Sequence, residues 1–352
     1  SFFKARFNHL LGSFSYRKSR VSRANKLSDD LVQKIVQSVE KDIKKIPSGQ
    51  WKLFYQNYHR EIIENINNKN FDQLSDFFQN PLTNNLFYGF DNLSKELDSS
   101  FRIETIYECE STCDAFVSLA EYLGIIKVIN PEFYNSPRAK RINIESLVYD
   151  IINYLNLEKN RNLFLNPFNG EKGIYTKYGV ASSRVPQSLY EACRVTSFGK
   201  KICEIGPGMG RTAYFSVLMG AEQYFMVDLP ISSMSQSYFL LNHFKIEEVA
   251  LNNEDIGKKK IKLMGVNEFK GLDNYYDVII NVDSLTEMGI ETAMEYLSLI
   301  SKKTKFFLSI NHESNEINIR DMVKEFPNFK LLNKQKSWTR KGYLEEVYQI
   351  LN

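Results

Sequence analysis

The chain has 352 residues, of which 43% are hydrophobic and 25% charged, and it includes 25 Phe and 20 Tyr. This length suffices for two domains with a core each, and the composition excludes a disordered or disulfide-scaffold protein. The 45 basic and 42 acidic side chains give a net charge of only +3, which is too small a bias to indicate a nucleic-acid partner.

Compartment and redox state follow from what the sequence lacks. No apolar run approaches the roughly 18 residues that span a bilayer, and the N-terminus does not resemble a signal peptide. We therefore expect a cytoplasmic protein without a transmembrane segment. The four cysteines (Cys109, Cys113, Cys193 and Cys203) do not make a disulfide framework in so long a chain, and we expect reduced, buried thiols.

The first 26 residues differ from the rest of the chain in charge. They contain Lys4, Arg6, Arg17, Lys18, Arg20, Arg23 and Lys26 and no acidic residue, with aromatic and leucine side chains in between. We expect a solvated arm or a first helix packed on its own domain. A segment that binds a membrane surface or a partner is the alternative.

Helical periodicity dominates the first 165 residues. Apolar side chains recur at steps of three and four, and Ser28 stands at the N-cap position of the first such segment. Helices are predicted over 28–45, 51–66, 114–122 and 144–155. We therefore predict a mostly α-helical N-terminal or cap domain over residues 1–165.

Turn chemistry interrupts this pattern between Leu163 and Arg184. Asn166-Pro167, Asn169-Gly170 and Gly173 lie close together there. We predict a linker or lid over residues 166–198, which ends in a short helix before the core of the next domain.

From residue 199 onward, short apolar segments alternate with helical ones. Strands are predicted over 201–205, 223–227, 260–264, 276–282 and 305–310, with helices over 212–219, 232–244 and 291–301. Such alternation predicts a doubly wound parallel α/β sheet. Two further strands, 329–334 and 344–351, follow each other directly and should form an antiparallel hairpin. The prediction for residues 199–352 is a seven-stranded Rossmann-like sheet with this terminal hairpin.

The first of these strands runs into a glycine-rich loop, Glu204-Ile205-Gly206-Pro207-Gly208-Met209-Gly210. Glycines allow a tight turn and a close approach of the backbone to a ligand. A dinucleotide-binding loop would place its third glycine at position 211, where this chain has Arg211. We therefore favour S-adenosylmethionine (SAM) as the cofactor, with Glu204 near its ammonium group, over a nicotinamide or flavin.

An acidic residue supports this interpretation. Asp228 ends the next strand, about 20 residues after the loop, where a carboxylate can accept hydrogen bonds from both hydroxyls of a ribose. The loop, the strand and the acid together predict a nucleoside-binding site.

Polar residues also follow two later strands, whose carboxyl ends should face the same crevice. Asp283 and Glu287 follow the strand 276–282, and His312 lies at the end of the strand 305–310. His312 or Asp283 could be the general base that deprotonates a hydroxyl. Glu287 is open between a substrate contact and a helix capping box that begins at Ser284. A divalent metal at these three side chains is a lesser alternative, and we predict no metal site.

Together these motifs resemble the bacterial sugar O-methyltransferase family of the class I SAM-dependent methyltransferases. The resemblance covers about residues 170–352, including Val227-Asp228-Leu229-Pro230, Asn281-Val282-Asp283-Ser284 and Ser309-Ile310-Asn311. It implies a methyltransferase fold and methyl transfer to a hydroxyl of a saccharide or another polar small metabolite, with Asp283 to Met288 bordering the transfer site. The residues predicted to bind SAM are Glu204, Gly206, Pro207, Gly208, Gly210, Asp228, Leu229, Asn281 and, by a looser inference, Arg184.

Two other functions remain open from the sequence. A SAM-using enzyme of the same fold could transfer the aminocarboxypropyl group, or cyclise it, and release methylthioadenosine. A non-catalytic subunit of this fold would instead bind a partner through its helical half and basic arm. The identity of the acceptor and the formation of a homo-oligomer are also open.

Overall fold

The structure is a computed structural model that describes residues 16–18, 27–80, 84–88, 104–128, 142–160, 163–164, 172–315, 318–340 and 342–351. Most of the basic arm and the turn-rich Asn166–Gly170 segment lie outside the described residues. Among those that are described, no helix is both long and apolar enough to cross a membrane. All four cysteines are free thiols, and Cys193 is half-buried while the other three are buried.

We number the helices and strands of the described residues in chain order. The helices are α1 (Asp29–Val39), α2 (Gln50–Asn57), α3 (Arg60–Asn67), α4 (Phe71–Gln79), α5 (Glu104–Tyr122), α6 (Ile144–Tyr154), α7 (Arg184–Phe198), α8 (Arg211–Leu218), α9 (Pro230–Leu241), α10 (Val266–Gly271), α11 (Ile290–Lys303) and α12 (Ile319–Val323). The strands are β1 (Tyr16–Lys18), β2 (Lys172–Thr176), β3 (Gly179–Ala181), β4 (Lys201–Ile205), β5 (Gln223–Val227), β6 (Val249–Ala250), β7 (Ile261–Met264), β8 (Tyr276–Val282), β9 (Thr304–His312), β10 (Phe329–Lys336) and β11 (Tyr343–Ile350).

The chain forms two compact units. One comprises residues 1–24 and 95–190, and the other residues 25–94 and 191–352. The first unit holds the antiparallel sheet β1-β2-β3, against which α5 and α6 pack. The second unit holds the large sheet together with α1 to α4. The domain boundaries expected from the sequence, after residue 165 and before residue 199, stay a prediction.

The helices at the start of the second unit follow the predicted apolar periodicity. Ser28 caps α1 as predicted, since its hydroxyl accepts the N–H of Leu31 at 3.4 Å. The segment predicted as one helix over 51–66 is instead divided into α2 and α3. The break lies at Tyr58 and His59, and it buries the His59 ring completely beside the ring of Tyr55. The sequence did not predict this break, because the burial of His59 depends on tertiary packing and not on the periodicity of apolar residues along one helix.

The large sheet confirms the predicted Rossmann-like α/β architecture. Its strand order is β10-β11-β9-β8-β4-β5-β7-β6, with parallel pairing from β9 to β6 and antiparallel pairing of β11 with both β9 and β10. The sheet has eight strands where the sequence predicted seven. The additional strand, β6, is a two-residue edge strand, which is too short to produce a recognisable apolar pattern.

The strand order determines where a ligand can bind. The chain leaves β4 towards β5 on one side, while β8 pairs with β4 on its other side, so the order reverses between β4 and β8. Ligands of open α/β sheets bind at the carboxyl ends of the strands at such a reversal. The glycine loop follows β4, and the Asp283–Glu287 segment follows β8.

A buried ion pair joins α7 to the terminal hairpin within the second unit. Arg194 Nη2 lies 2.9 Å from Glu345 Oε1, and the Glu345 side chain is fully buried. Removing only one partner would leave an uncompensated charge in the interior, which costs more than the pair itself contributes.

We therefore expect Arg194→Met to lower the free energy of unfolding by about 3–5 kcal/mol, measured by chemical denaturation. The matched control is Lys200→Met, which breaks the exposed Lys200–Glu222 pair (3.0 Å) and should cost less than about 1 kcal/mol. If the two substitutions lowered the free energy of unfolding equally, Arg194 would not be needed to compensate the buried charge of Glu345.

Candidate functional site

The glycine loop adopts a backbone conformation that side chains rarely allow. Gly206, Gly208 and Gly210 have φ angles of +68°, +54° and +91°. A Cβ atom on Gly206 would lie 2.1 Å from Ser284 Oγ, whereas one on Gly208 would point into open space. The carbonyl of Pro207 accepts the N–H of Gly210 at 2.9 Å, which closes the turn. The loop thus packs tightly against the β8 side and exposes its backbone at Gly208.

Asn281 supports this loop from below. Its Nδ2 atom donates to the Ile205 carbonyl (2.9 Å) and to Ser284 Oγ (2.5 Å), and its Oδ1 atom accepts from Asn311 Nδ2 (3.0 Å). Ser284 Oγ also donates to the Ile205 carbonyl at 3.0 Å. The Asn281 amide is fully buried and is engaged within the protein, so the geometry favours a supporting role, and its contact with SAM stays a prediction.

The contacts of Ser284 also show whether this residue begins a helix capping box. The Ser284 hydroxyl bonds to the end of β4 rather than to the backbone of a following helix, and α11 begins only after Gly289. Residues Ser284–Thr286 form a single 3₁₀ turn. The capping role considered for Glu287 therefore does not apply.

Asp228 lies at the end of β5, beside the loop. Its Oδ1 atom accepts the N–H of Leu229 at 2.7 Å, and its Oδ2 atom accepts from Gln236 Nε2 at 2.7 Å. Burial raises the pKa of this carboxyl to about 6, so it is mostly ionised at neutral pH. Each carboxylate oxygen retains a lone pair that can accept a further hydrogen bond, for example from a hydroxyl.

Gln236 is a site residue that the sequence analysis missed. Its Nε2 atom donates both to Asp228 Oδ2 and, at 2.9 Å, to the Gly208 carbonyl. The side chain is fully buried on α9, and one amide group thus links the loop to the acid. The available signal was a glutamine two turns into the helix that follows Asp228 directly.

Glu204 belongs to a pair of buried acids at the end of β4. Its Oε2 atom accepts from the Tyr224 hydroxyl at 2.7 Å, and Glu191 on α7 accepts from the Thr212 hydroxyl at 2.7 Å. Burial, followed by the nearby Glu191 carboxyl, raises the pKa of Glu204 to about 8. A bound cation would offset this repulsion, but contact between Glu204 and an ammonium group stays a prediction.

Asp283 and His312 come together at the ends of β8 and β9. Asp283 adopts φ +71°, a left-handed conformation that is rare for a residue other than glycine. Its Oδ2 atom accepts from the Tyr343 hydroxyl (2.9 Å) and lies 2.9 Å from Arg340 Nη2. Its Oδ1 atom is buried, has no hydrogen-bond partner among the described residues, and lies 3.5 Å from His312 Nε2.

The environment of His312 constrains its protonation. The backbone N–H of Ser314 donates to His312 Nδ1 at 3.3 Å, and the Ser314 hydroxyl lies 2.7 Å from the same atom. We infer that a neutral His312 carries its proton on Nε2, directed towards Asp283. Because Nδ1 accepts from Ser314 and Nε2 carries the proton, the geometry does not favour His312 as the general base, and that role stays a prediction.

Glu287 is a half-buried acid in the same group. Burial and the neighbouring Asp283 carboxylate raise its pKa to about 7, against the lowering effects of a hydrogen bond from Trp51 and of the Arg340 charge. The charge of Asp228 also raises this pKa, by a smaller effect than that of Asp283. This pKa lies near neutral pH, where Glu287 can accept and release a proton.

Three further residues were missed, because the sequence reveals neither the order of the last strands nor what the helix that carries Trp51 contacts. Strand β11 lies between β9 and β10, with Tyr343 directly opposite His312. The turn before β11 contributes Arg340, and α2 contributes Trp51. Among the described residues, no group of three or more His, Cys, Asp or Glu side chains is arranged to hold a metal ion. Arg184 belongs to the other compact unit, so its contact with SAM stays a prediction.

No protein-family model and no curated protein matches this sequence. The chain is similar to the solved structure of ribosomal protein L11 methylase from Lactobacillus delbrueckii subsp. bulgaricus (12% identity, TM-score 0.34, covering 47% of this chain and 78% of that one). It is also similar to magnesium protoporphyrin IX methyltransferase from Synechocystis PCC 6803 with bound SAM (15% identity, TM-score 0.36, covering 60% of this chain and 97% of that one). A third similar structure is a glycopeptide N-methyltransferase complexed with sinefungin (12% identity, TM-score 0.37, covering 47% of this chain and 94% of that one). These similarities are too low to carry an argument, so the description of the fold rests on the strand order of the chain itself.

The Gln236 contacts predict an effect on cofactor affinity. In Gln236→Leu, Asp228 and the Gly208 carbonyl lose their shared donor, and we expect the affinity for SAM to fall about tenfold or more in calorimetric titration. Gln37→Leu, the same change at an exposed position of α1, should leave the affinity unchanged. Wild-type affinity in Gln236→Leu would contradict this account of the loop.

Proposed function

We propose that this chain is a SAM-dependent methyltransferase that methylates a hydroxyl group of a polar small molecule. One observation carries the proposal. The loop that exposes its backbone at Gly208 is joined through Gln236 to Asp228 at the end of β5, and Glu287, an acid with a pKa of about 7, follows β8 at the same edge of the sheet. This placement supports a nucleoside-binding arrangement and a proton acceptor at one edge of the sheet.

The residues present suit SAM. The Asp228 carboxylate would accept the ribose hydroxyls, and the exposed backbone at Gly208 would approach the methionine portion. The buried Glu204 and Glu191 carboxyls would favour the ammonium group, since a cation relieves the repulsion between them. SAM would supply a methyl group that is already activated by its sulfonium.

The chain's own part in the reaction is to orient the acceptor and to remove its proton. A general base works best when its pKa lies near the working pH, and Glu287 meets this condition. The unpaired Oδ1 atom of Asp283 would accept a hydrogen bond from the acceptor, while Tyr343 and Arg340 fix the carboxylate through Oδ2. We therefore assign proton removal to Glu287 and orientation of the acceptor to Asp283.

The chemistry of these groups supports a polar acceptor. Asp283, Glu287, His312, Arg340 and Tyr343 offer carboxylate, imidazole, guanidinium and phenol groups in one cluster. Such groups match hydroxyl-rich ligands better than apolar ones. A saccharide, the acceptor implied by the resemblance of the motifs, satisfies this requirement, as do other polar metabolites.

The direct test combines SAM binding with product analysis. We expect the purified chain to bind SAM in calorimetric titration, and Asp228→Ala to bind it at least tenfold more weakly. With labelled SAM and a panel of hydroxylated acceptors, we expect S-adenosylhomocysteine and a methylated product by mass spectrometry. Methylthioadenosine would indicate the aminocarboxypropyl reaction instead, and failure to bind SAM would exclude both activities.

The base is tested by the pH dependence of the rate. Glu287 must be ionised to accept a proton, so kcat/KM should rise with pH through about 7 and level off above it. Glu287→Gln should lose this limb and reduce the rate about 10²- to 10⁴-fold, with little change in SAM affinity. If kcat/KM of Glu287→Gln still rises with pH through about 7, another group is the general base. His312→Gln would then be the next variant to measure.

A further inference from the structure

Four consecutive residues before and within α2 contact the segment that carries Glu287. Ser48 Oγ donates to the Met288 carbonyl at 2.6 Å and lies 2.8 Å from Thr292 Oγ1. The N–H of Gln50 donates to the Glu287 carbonyl at 3.1 Å. The side chain of Trp51 donates a hydrogen bond to the Glu287 carboxylate. Both the backbone and the side chain of Glu287 are therefore held by residues that lie far from it in the sequence, near the start of the chain.

Gly49 shows how close this contact is. It adopts φ +64°, and a Cβ atom placed on it would lie 2.1 Å from the Glu287 carbonyl oxygen and 2.8 Å from the Met288 carbonyl carbon. Neither of these backbone atoms can move unless the whole segment around Glu287 and Met288 is displaced. Only glycine satisfies both the conformation and the space at this position.

The Trp51 ring is supported on its other sides. It packs edge-on against Phe54, with ring centroids 5.2 Å apart, and is stacked near His59, at 6.4 Å and 24°. His59 is fully buried, and burial lowers its pKa to about 4, so this ring is neutral and brings no charge near Glu287. The indole is thus held by packing while its N–H group reaches the carboxylate.

Several groups determine the charge of Glu287. Asp283 and Asp228 disfavour its ionised form, and Arg340 favours it. The Tyr343 hydroxyl, which bonds to Asp283, also lies close to it. A hydrogen bond donated to a carboxylate stabilises its ionised form, and the Trp51 N–H donates such a bond to Glu287.

We propose that Trp51 is a positioning residue for Glu287, and that the Ser48–Trp51 segment holds the backbone of Glu287 in place for it. This inference rests on the proposed role of Glu287 as the proton acceptor. The indole N–H fixes one orientation of the carboxylate, and the Gly49 contact fixes the distance of the indole from it. The helical N-terminal residues then contribute directly to the chemistry at the end of β8.

Trp51→Phe tests the inference, because it keeps an aromatic ring and removes only the N–H donor. The loss of that donor favours the protonated carboxyl, so the pKa of Glu287 should rise by about one unit. It can be measured without any acceptor, from the carboxyl ¹³C resonances of protein labelled at glutamate, with Glu287→Gln to assign the signal. The acidic limb of kcat/KM should move upward by the same amount, with unchanged affinity for SAM.

Gly49→Ala provides a second, independent variant. A methyl group there must push the segment away from the Glu287 carbonyl, so the titration of Glu287 should move in the same direction although the indole is still present. Leu53→Ala, an exposed position on the same helix, is the matched control and should leave the titration unchanged. Thermal unfolding of each variant would show whether the fold is retained.

The outcomes separate this inference from the proposed function. A Glu287 titration that is unchanged in both Trp51→Phe and Gly49→Ala overturns the positioning role, even in a chain that binds SAM and methylates an acceptor. A shift in both variants supports it. A wild-type chain that does not bind SAM would instead refute the proposed function, and the titration would still report on the Trp51 contact.

Discussion

The amide group of Gln236 donates the two hydrogen bonds on which the geometry of the glycine loop depends. They join the Gly208 carbonyl, on the loop after β4, to the Asp228 carboxylate at the end of β5. Parallel strands bring these ends to one edge, but the loop could still adopt other conformations there. The buried amide selects one of them, and the positive φ angles of the glycines make it accessible. On the β8 side, Asn281 and Ser284 hold the same loop through the Ile205 carbonyl.

The balance of charges distinguishes the group of acids at the ends of β5 and β8. Asp228, Asp283 and Glu287 are acids at the same edge of the sheet, and burial raises the pKa of Asp228 and of Glu287. Arg340 lies against Asp283, and Trp51 donates to Glu287, so each acid receives a different compensation. The result is one carboxylate held by a cation and a phenol, and another left near its midpoint at neutral pH. Two acids in different environments can divide orientation and proton transfer between them.

The local patterns of the sequence were sufficient for much of this arrangement. The predicted bounds of β4, β5 and β8 agree with the structure, because buried parallel strands are continuous apolar runs that end at turn residues. The proximity of Asp283 and His312 was also predictable. Both end parallel strands of one sheet, and such ends meet at the same edge whatever the details of packing.

What the tertiary structure alone decided are contacts between residues far apart in the chain. Tyr343 faces His312 because β11 inserts between β9 and β10, and a sequence does not state which strand of a terminal hairpin pairs with the sheet. Trp51 reaches Glu287 because α1 to α4 pack in the same unit as the large sheet, whereas apolar periodicity shows only that a helix has a buried face. The sequence by itself thus determined the strands, the loop and the acids at their ends, since these depend on local conformation and burial. The partners that set the charge and orientation of those acids depend on long-range packing, which local patterns do not encode.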